Sequence, residues 1–208
     1  MPFAEGQRGW RECWCEVGSP KRLEQIAEGW DGVLLAGSEA GGLAGTSGTF
    51  PLLQRALDVL ERPVIVRLPG GIRAARACFL AGAAGVVLDD QLLLLAASPL
   101  RQDWREAALR SAIFDSQLFG ETVGFPIRLR ALRGAEQYQS ALAADRGGEP
   151  EAIQAAAWEL RWDEQGAWPV GQGFLFAAEF AERFGSVAAV WVALWNALQE
   201  PVTDPFRP

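Results

Sequence analysis

Residues 31–45 read DGVLLAGSEAGGLAG. From Gly32 to Ala36 the chain is apolar without alternation, the pattern of a strand covered on both faces, and the glycines beyond it mark a tight exit into a loop. Strands of that kind sit in parallel sheets and are separated by crossover helices. Upstream, Cys13 to Val17 is a short strand closed by Gly18, Ser19 and Pro20. Lys21 to Glu28 follows as a helix with Leu23, Ile26 and Ala27 on one face. Downstream, a helix from Phe50 to Leu60 starts near Thr49 and Pro51. A third strand spans Pro63 to Leu68 and exits through Pro69, Gly70 and Gly71 into an alanine-rich helix, Arg73 to Ala81. A fourth strand, Gly85 to Leu88, runs into Asp89, Asp90 and Gln91.

Strand starts about 20, 30 and 20 residues apart match the repeat of a (β/α) barrel. Only four such units fit before the pattern changes near Ser98, and a closed eight-stranded barrel takes about 250 residues against the 208 present. The expected fold is therefore α/β and TIM-barrel-like: four parallel βα units, half a barrel, over residues 1–97. Residues 98–200 form a helical C-terminal extension, and 201–208 a proline-rich tail. Within the extension the pattern gives helices over Arg101–Ile113, Ala135–Ala144, Glu151–Trp162, Phe174–Phe184 and Ser186–Leu198, with Ser186 as a cap. Asp115–Ala131 reads as irregular and Trp168–Gly173 as a loop. Trp158 and Trp162, and Trp191 and Trp195, are pairs at i, i+4, expected to pack in a core or an interface.

Composition closes off several kinds of chemistry. There is no histidine, which removes Ser-His-Asp and Cys-His nucleophiles and imidazole-ligated metals. A formal charge of −7 is a poor surface for nucleic acid. Cys13, Cys15 and Cys78 are too sparse to complete a metal site and suit a reducing, cytoplasmic setting. No stretch resembles a leader or a membrane span, the longest purely apolar run being Val187 to Trp195.

In a parallel βα array, chemistry sits in the loops after the strands. Two of these loops stand out, the run Gly37 to Gly42 and Pro69–Gly70–Gly71. Adjacent glycines before a helix let backbone N–H groups approach an anion, although the same pair also makes an ordinary tight turn. Asp89 and Asp90 read as a cap on the helix at Gln91, and a divalent ion held with Glu39 is the alternative. Arg128, Arg130 and Arg133 read as a solvated basic face, with an anionic ligand such as a phosphopantetheine arm as the alternative.

Taken in order, DGVLLAGSEAGGLAG (31–45), PVIVRLPGGI (63–72) and AGAAGVVLDDQL (81–92) resemble the C-terminal half of the nitronate monooxygenase (2-nitropropane dioxygenase-like) family. WPVGQG (168–173) resembles a Gly-Gln motif late in that family, and GAAGVVLDDQLLLL with GQGFLFAAEFAERFGSV looks closest to its version in polyketide and polyunsaturated-fatty-acid synthases. The resemblance implies an FMN-dependent (β/α) barrel oxidoreductase related to flavin-dependent enoyl reductases. It implies Gly70 and Gly71 at the FMN phosphate, Gly41 and Gly42 over the flavin, Gln172 at the cofactor end of the cavity, and Glu39 as the catalytic carboxylate, with a role for Glu39 in capping or hydrogen-bonding the glycine loop as the equal alternative. Two positions depart from the pattern. The family's histidine after Gly-Gly is Leu43, and the phosphate-binding Gly-Thr is Asp89–Asp90. The missing barrel half implies completion by a second copy, by a partner chain or by the helical second half folding over it, association being the favoured reading, with synthase modules or an acyl carrier as further partners. The competing reading is a non-catalytic scaffold or dimerisation domain of a polyketide synthase.

Overall fold

The computed structural model describes residues 12–26, 28–110, 116–120, 126–131, 151 and 167–201. The four expected parallel strands are β1 (Trp14–Val17), β2 (Gly32–Leu35), β4 (Val64–Arg67) and β5 (Gly85–Val87). They lie side by side in the order β1-β2-β4-β5, all parallel. Sequential order without reversal is that of a barrel wall; a doubly wound sheet would reverse at a switch point. Between the strands run α1 (Pro20–Leu23), α2 (Thr49–Val59) and α3 (Ile72–Leu80).

The helices all pack on one side of this arc. Val17, Val33, Leu35, Val64 and Val66 form a single core with Leu23, Leu52, Leu53, Ala56, Ala75 and Cys78. Removing each leucine or valine side chain from water there is worth about 2 kcal/mol. The strand register puts Trp14 opposite Gly32, Glu16 opposite Leu34, Leu34 opposite Ile65, and Arg67 opposite Val87 on the other face. Apart from Gly32, which the Trp14 ring covers, these residues are half-buried or exposed. The continuous apolar strands predict two covered faces; among the described residues the helices bury one, and the other is half-buried.

A second, antiparallel sheet joins β3 (Gly42–Leu43) to β7 (Ile127–Ala131), with β6 (Ser116–Phe119) and β8 (Ala167–Trp168) also on β7. This corrects the expectation that Asp115–Ala131 is irregular. Trp168, expected in a loop, closes β8. Expected helices are found as α4 (Gln102–Arg110), α5 (Ala177–Arg183) and α6 (Val187–Gln199). Short 3₁₀ turns cover Asp90–Leu92 and Gln172–Phe176, the latter where an α-helix was expected to begin. The helix expected over Ala135–Ala144, Trp158, Trp162, Arg133 and the tail 202–208 lie outside the described residues.

The Ser186 Oγ accepts the Ala189 N–H at 3.2 Å and caps α6 as expected. Ser186→Ala should lower stability by about 1 kcal/mol in urea unfolding with an unchanged slope. No helix among the described residues is long and apolar enough to cross a membrane.

Candidate functional site

The C-terminal ends of the parallel strands converge on the loops singled out above. After β2 the chain folds back on itself: Ala40 and Gly45 N–H both bond the Gly37 carbonyl, and Ser38 N–H bonds Ser47 O. Glu39 turns its carboxylate onto the start of α2. It accepts the Thr49 backbone N–H at 3.0 Å and the buried Thr49 hydroxyl at 2.9 Å. A carboxylate at a helix N-terminus stabilises orphan N–H groups and the helix dipole, and this is what Glu39 does here. Gly42 carries a φ of 69° as the chain enters β3, a conformation that favours glycine.

Residues 169–173 dock on this loop backbone to backbone. The Gln172 N–H donates to Glu39 O at 2.9 Å. Gly41 and Gly171 face each other so closely that a Cβ on either would overlap the other's backbone. The glycines at 41 and 171 are thus required by loop-to-loop contact. Gln172 itself is exposed beside Glu39's carbonyl.

At the ends of β4 and β5 the polar groups are tightly shared. Gln91 is fully buried. Its amide donates to Leu68 O at 2.7 Å and Gly70 O at 2.9 Å, while its Oε1 accepts the Asp89 N–H at 3.2 Å. Asp89 accepts the Asp90 N–H and so caps the 3₁₀ turn, as the sequence suggests. Its other oxygen takes the Arg67 guanidinium at 2.6 Å, and Arg67 also reaches Glu16 at 3.4 Å. Burial opposes the Arg67 charge, but the hydrogen bond to Asp89 and the surrounding carboxylates hold its pKa above the ordinary value. Asp90, 7% exposed, accepts the Gly171 N–H at 2.7 Å. Burial and then the charge of Asp89 push its pKa up to about 7, against the Gly171 hydrogen bond and Arg67.

Gly70 and Gly71 lie at the start of α3 under the ring of Phe176. A Cβ on Gly71 would sit 2.9 Å from that ring, and one on Gly70 2.8 Å from the Ala74 methyl. Side-chain packing accounts for both glycines. The family histidine position, Leu43, is 55% exposed and lines a cavity of about 230 Å³ with Glu16, Gly18, Arg22 and Ala44. A second cavity, about 340 Å³, lies between Arg67, Asp89, Asp90 and the stacked rings of Trp104 and Trp168. This set does not fit a flavin phosphate. Such a group needs donors, and here the end of β5 offers two carboxylates while Arg67 is already engaged by Asp89 and Glu16.

The basic cluster also reads differently in three dimensions. Arg128 and Arg130 are buried, the latter 1% exposed, which corrects the expectation of a solvated face. Arg128 Nε donates to Ser38 O at 2.7 Å and Nη1 to Ser116 O at 3.0 Å, tying β6 and β7 to the glycine loop. Arg130 lies over the Phe174 ring, 4.9 Å from its centroid. The structure therefore brings Glu39, Gly41 and Gly42 together with Gly171 and Gln172, and places Gly70 and Gly71 beside them through Gln91 and Phe176. Sequence reasoning missed Gln91, the Asp90–Gly171 bond and the inward turn of Arg128. The glutamine directly after two acids at a strand end was the one available signal.

No known protein-family model matches this sequence. Over 117 residues it is 30% identical to the (3aS,4S,5R,7aS)-5-hydroxy-7a-methyl-1-oxo-octahydro-1H-indene-4-carboxyl-CoA dehydrogenase of Rhodococcus jostii (strain RHA1), covering 54% of this chain and 33% of that protein. Among solved structures, FabK from Thermotoga maritima superposes with a TM-score of 0.70 at 20% identity, over 90% of this chain and 61% of that one. Nitroalkane oxidase from Streptomyces ansochromogenes does so with a TM-score of 0.61 at 20% identity, over 88% and 57%. At this identity the likeness establishes the fold, a TIM-barrel-like α/β arc. The chain spans a third of its curated relative and about three fifths of FabK.

Proposed function

We propose that this chain is a flavin-oxidoreductase-type domain of nitronate monooxygenase and enoyl-reductase descent, working with acyl thioesters in polyketide or fatty-acid synthesis, in which the cofactor site has degenerated and the fold serves as a scaffold. The carrying observation is the end of β5. Asp89 and Asp90 stand there as hydrogen-bond acceptors, and Asp90 has become the clamp for the 169–173 loop. The thioester class is supported by the relative's coenzyme A substrate, and the oxidoreductase class by the fold it shares with FabK and nitroalkane oxidase.

In the active alternative, FMN would sit against Gly41, Gly42, Gly70, Gly71 and Gln172, with Glu39 beside the reacting centre. The convergence of these loops favours it; the Glu39 carboxylate already engaged by Thr49 and the acids at 89 and 90 favour the scaffold. The test is a visible spectrum after incubation with excess FMN and desalting. A colourless protein is the expected result. A retained flavin band that disappears in Gly71→Asp would overturn the degenerate reading and establish the FMN-dependent one.

A further inference from the structure

The cavity between Arg67, Asp89, Asp90 and the Trp104–Trp168 stack, which does not fit a flavin phosphate, has the opposite electrostatic sense. Arg67 is the only cation lining it among the described residues, and it is shared by Asp89 at 2.6 Å and Glu16 at 3.4 Å. Asp90 is a further carboxylate and makes no ion pair among the described residues. It lines the cavity although only 7% of its surface is exposed. Its Oδ2 accepts the Gly171 N–H at 2.7 Å, whereas Oδ1 has no hydrogen-bond partner among the described residues. Oδ1 is not sealed inside the protein either, so it opens onto the cavity. The rest of the wall is apolar, with Leu93, Leu100, Val170 and the two indoles, whose ring centroids lie 5.4 Å apart. At about 340 Å³ the space is within the range of small-molecule sites, about 300–1,000 Å³.

We infer that this cavity binds a primary ammonium ion on a compact apolar body, which donates an N–H to Asp90 Oδ1 and packs its body against Trp104 and Trp168. An anion finds no free donor there, because Arg67 is engaged twice. A divalent ion needs about six oxygen ligands, and no group of three ligating side chains exists among the described residues. A neutral donor would satisfy Oδ1 but leave the buried charge uncompensated; an ammonium does both. The cost of that charge shows in the Asp90 carboxyl, whose pKa burial and Asp89 push up to about 7, with Arg67 offsetting the shift only in part. The inference goes beyond the functional reading above, which leaves the cavity without a ligand once flavin is lost.

The test is calorimetric titration at about pH 8, where the probe and most of Asp90 are ionised. The probes are 2-phenylethylammonium, the neutral 2-phenylethanol and the anion 3-phenylpropanoate. Expected is saturable binding of the ammonium, at least about tenfold tighter than the alcohol, and no binding of the anion. Asp90→Asn keeps an acceptor for the Gly171 N–H, so its circular dichroism spectrum should match the parent's. It should remove the preference by weakening the ammonium alone. Trp104→Ala should weaken ammonium and alcohol alike, since both lose the same apolar wall. Arg22→Ala, in the separate cavity beside Leu43, should change neither. The inference is overturned if the ammonium does not saturate, if the alcohol or the anion binds as tightly, if Asp90→Asn retains the preference, or if FMN displaces the ammonium. A colourless protein that also ignores the ammonium sinks this inference and leaves the degenerate reading standing.

Discussion

Asp90→Asn should make the protein more stable near pH 8 and flatten its stability profile between about pH 4 and pH 7. The reasoning starts from burial. Asp90 is 7% exposed beside a second carboxylate, and its pKa is pushed from 3.8 up to about 7. Between those two values the folded chain holds a proton that the unfolded chain has released, so the folded state is progressively disfavoured as pH rises through the window. The loss is complete above the folded pKa and amounts to about 4 kcal/mol at most. Asparagine keeps an oxygen for the Gly171 N–H and never has to carry charge. A gain of about 2 kcal/mol or more at pH 8, with little change at pH 4, is expected from urea unfolding at the two pH values. Asp90→Ala provides the contrast. It also removes the charge but leaves the Gly171 N–H buried without its acceptor, costing about 1–3 kcal/mol at acid pH. A parent protein whose stability is level from pH 4 to pH 7 would sink this account of Asp90.

The parts of this fold that were legible in the sequence are those fixed by short-range pattern. Apolar runs such as Val33 to Ala36, followed at once by Gly37, and Val64 to Val66, with Pro69 three residues on, define strands and exits within a few residues. The Ser186 cap is equally local. What could not be read depends on distant partners. Arg128 and Arg130 look like surface charge along the chain, yet Arg128 is buried because Ser38, 90 residues away, offers it a carbonyl. The segments at 116–119 and 127–131 become strands only because β3 and β8 supply pairing groups from elsewhere. The half-buried state of the inner face was illegible for a different reason. A strand's sequence records that both its faces are apolar, but not how completely each is packed. The candidate site divides in the same way: the glycine loops were visible as composition, whereas the reason for each glycine was not. Gly71 answers to Phe176 and Gly41 to Gly171, contacts between elements far apart in sequence.

That distinction gives the second large effect. Gly171→Ala should destabilise the protein by about 3 kcal/mol or more, well beyond what Gly42→Ala does. The two glycines are needed for different reasons. Gly42 has a φ of 69°, where a side chain strains the backbone by about 1–2 kcal/mol, but its added methyl would meet only Pro169 Cβ at 3.6 Å, an ordinary contact. Gly171 has a φ of −93°, which any residue adopts, so its backbone gains nothing from being glycine. Its added methyl would instead overlap the Glu39 carbonyl and lie 2.5 Å from the Gly41 nitrogen, groups with no side-chain freedom to move aside. The two loops must separate. Separation breaks both the Gln172-to-Glu39 bond and the Gly171-to-Asp90 bond, so the effect extends to the acid at the end of β5. Two observations follow in the same unfolding experiment. Gly171→Ala and Asp90→Asn should be non-additive, because parting the loops opens Asp90 to water and so relieves the same burial that the second substitution relieves. Gly42→Ala and Asp90→Asn, which share no partner, should add. Equal costs for the two glycine substitutions would mean that the loops do not meet backbone to backbone.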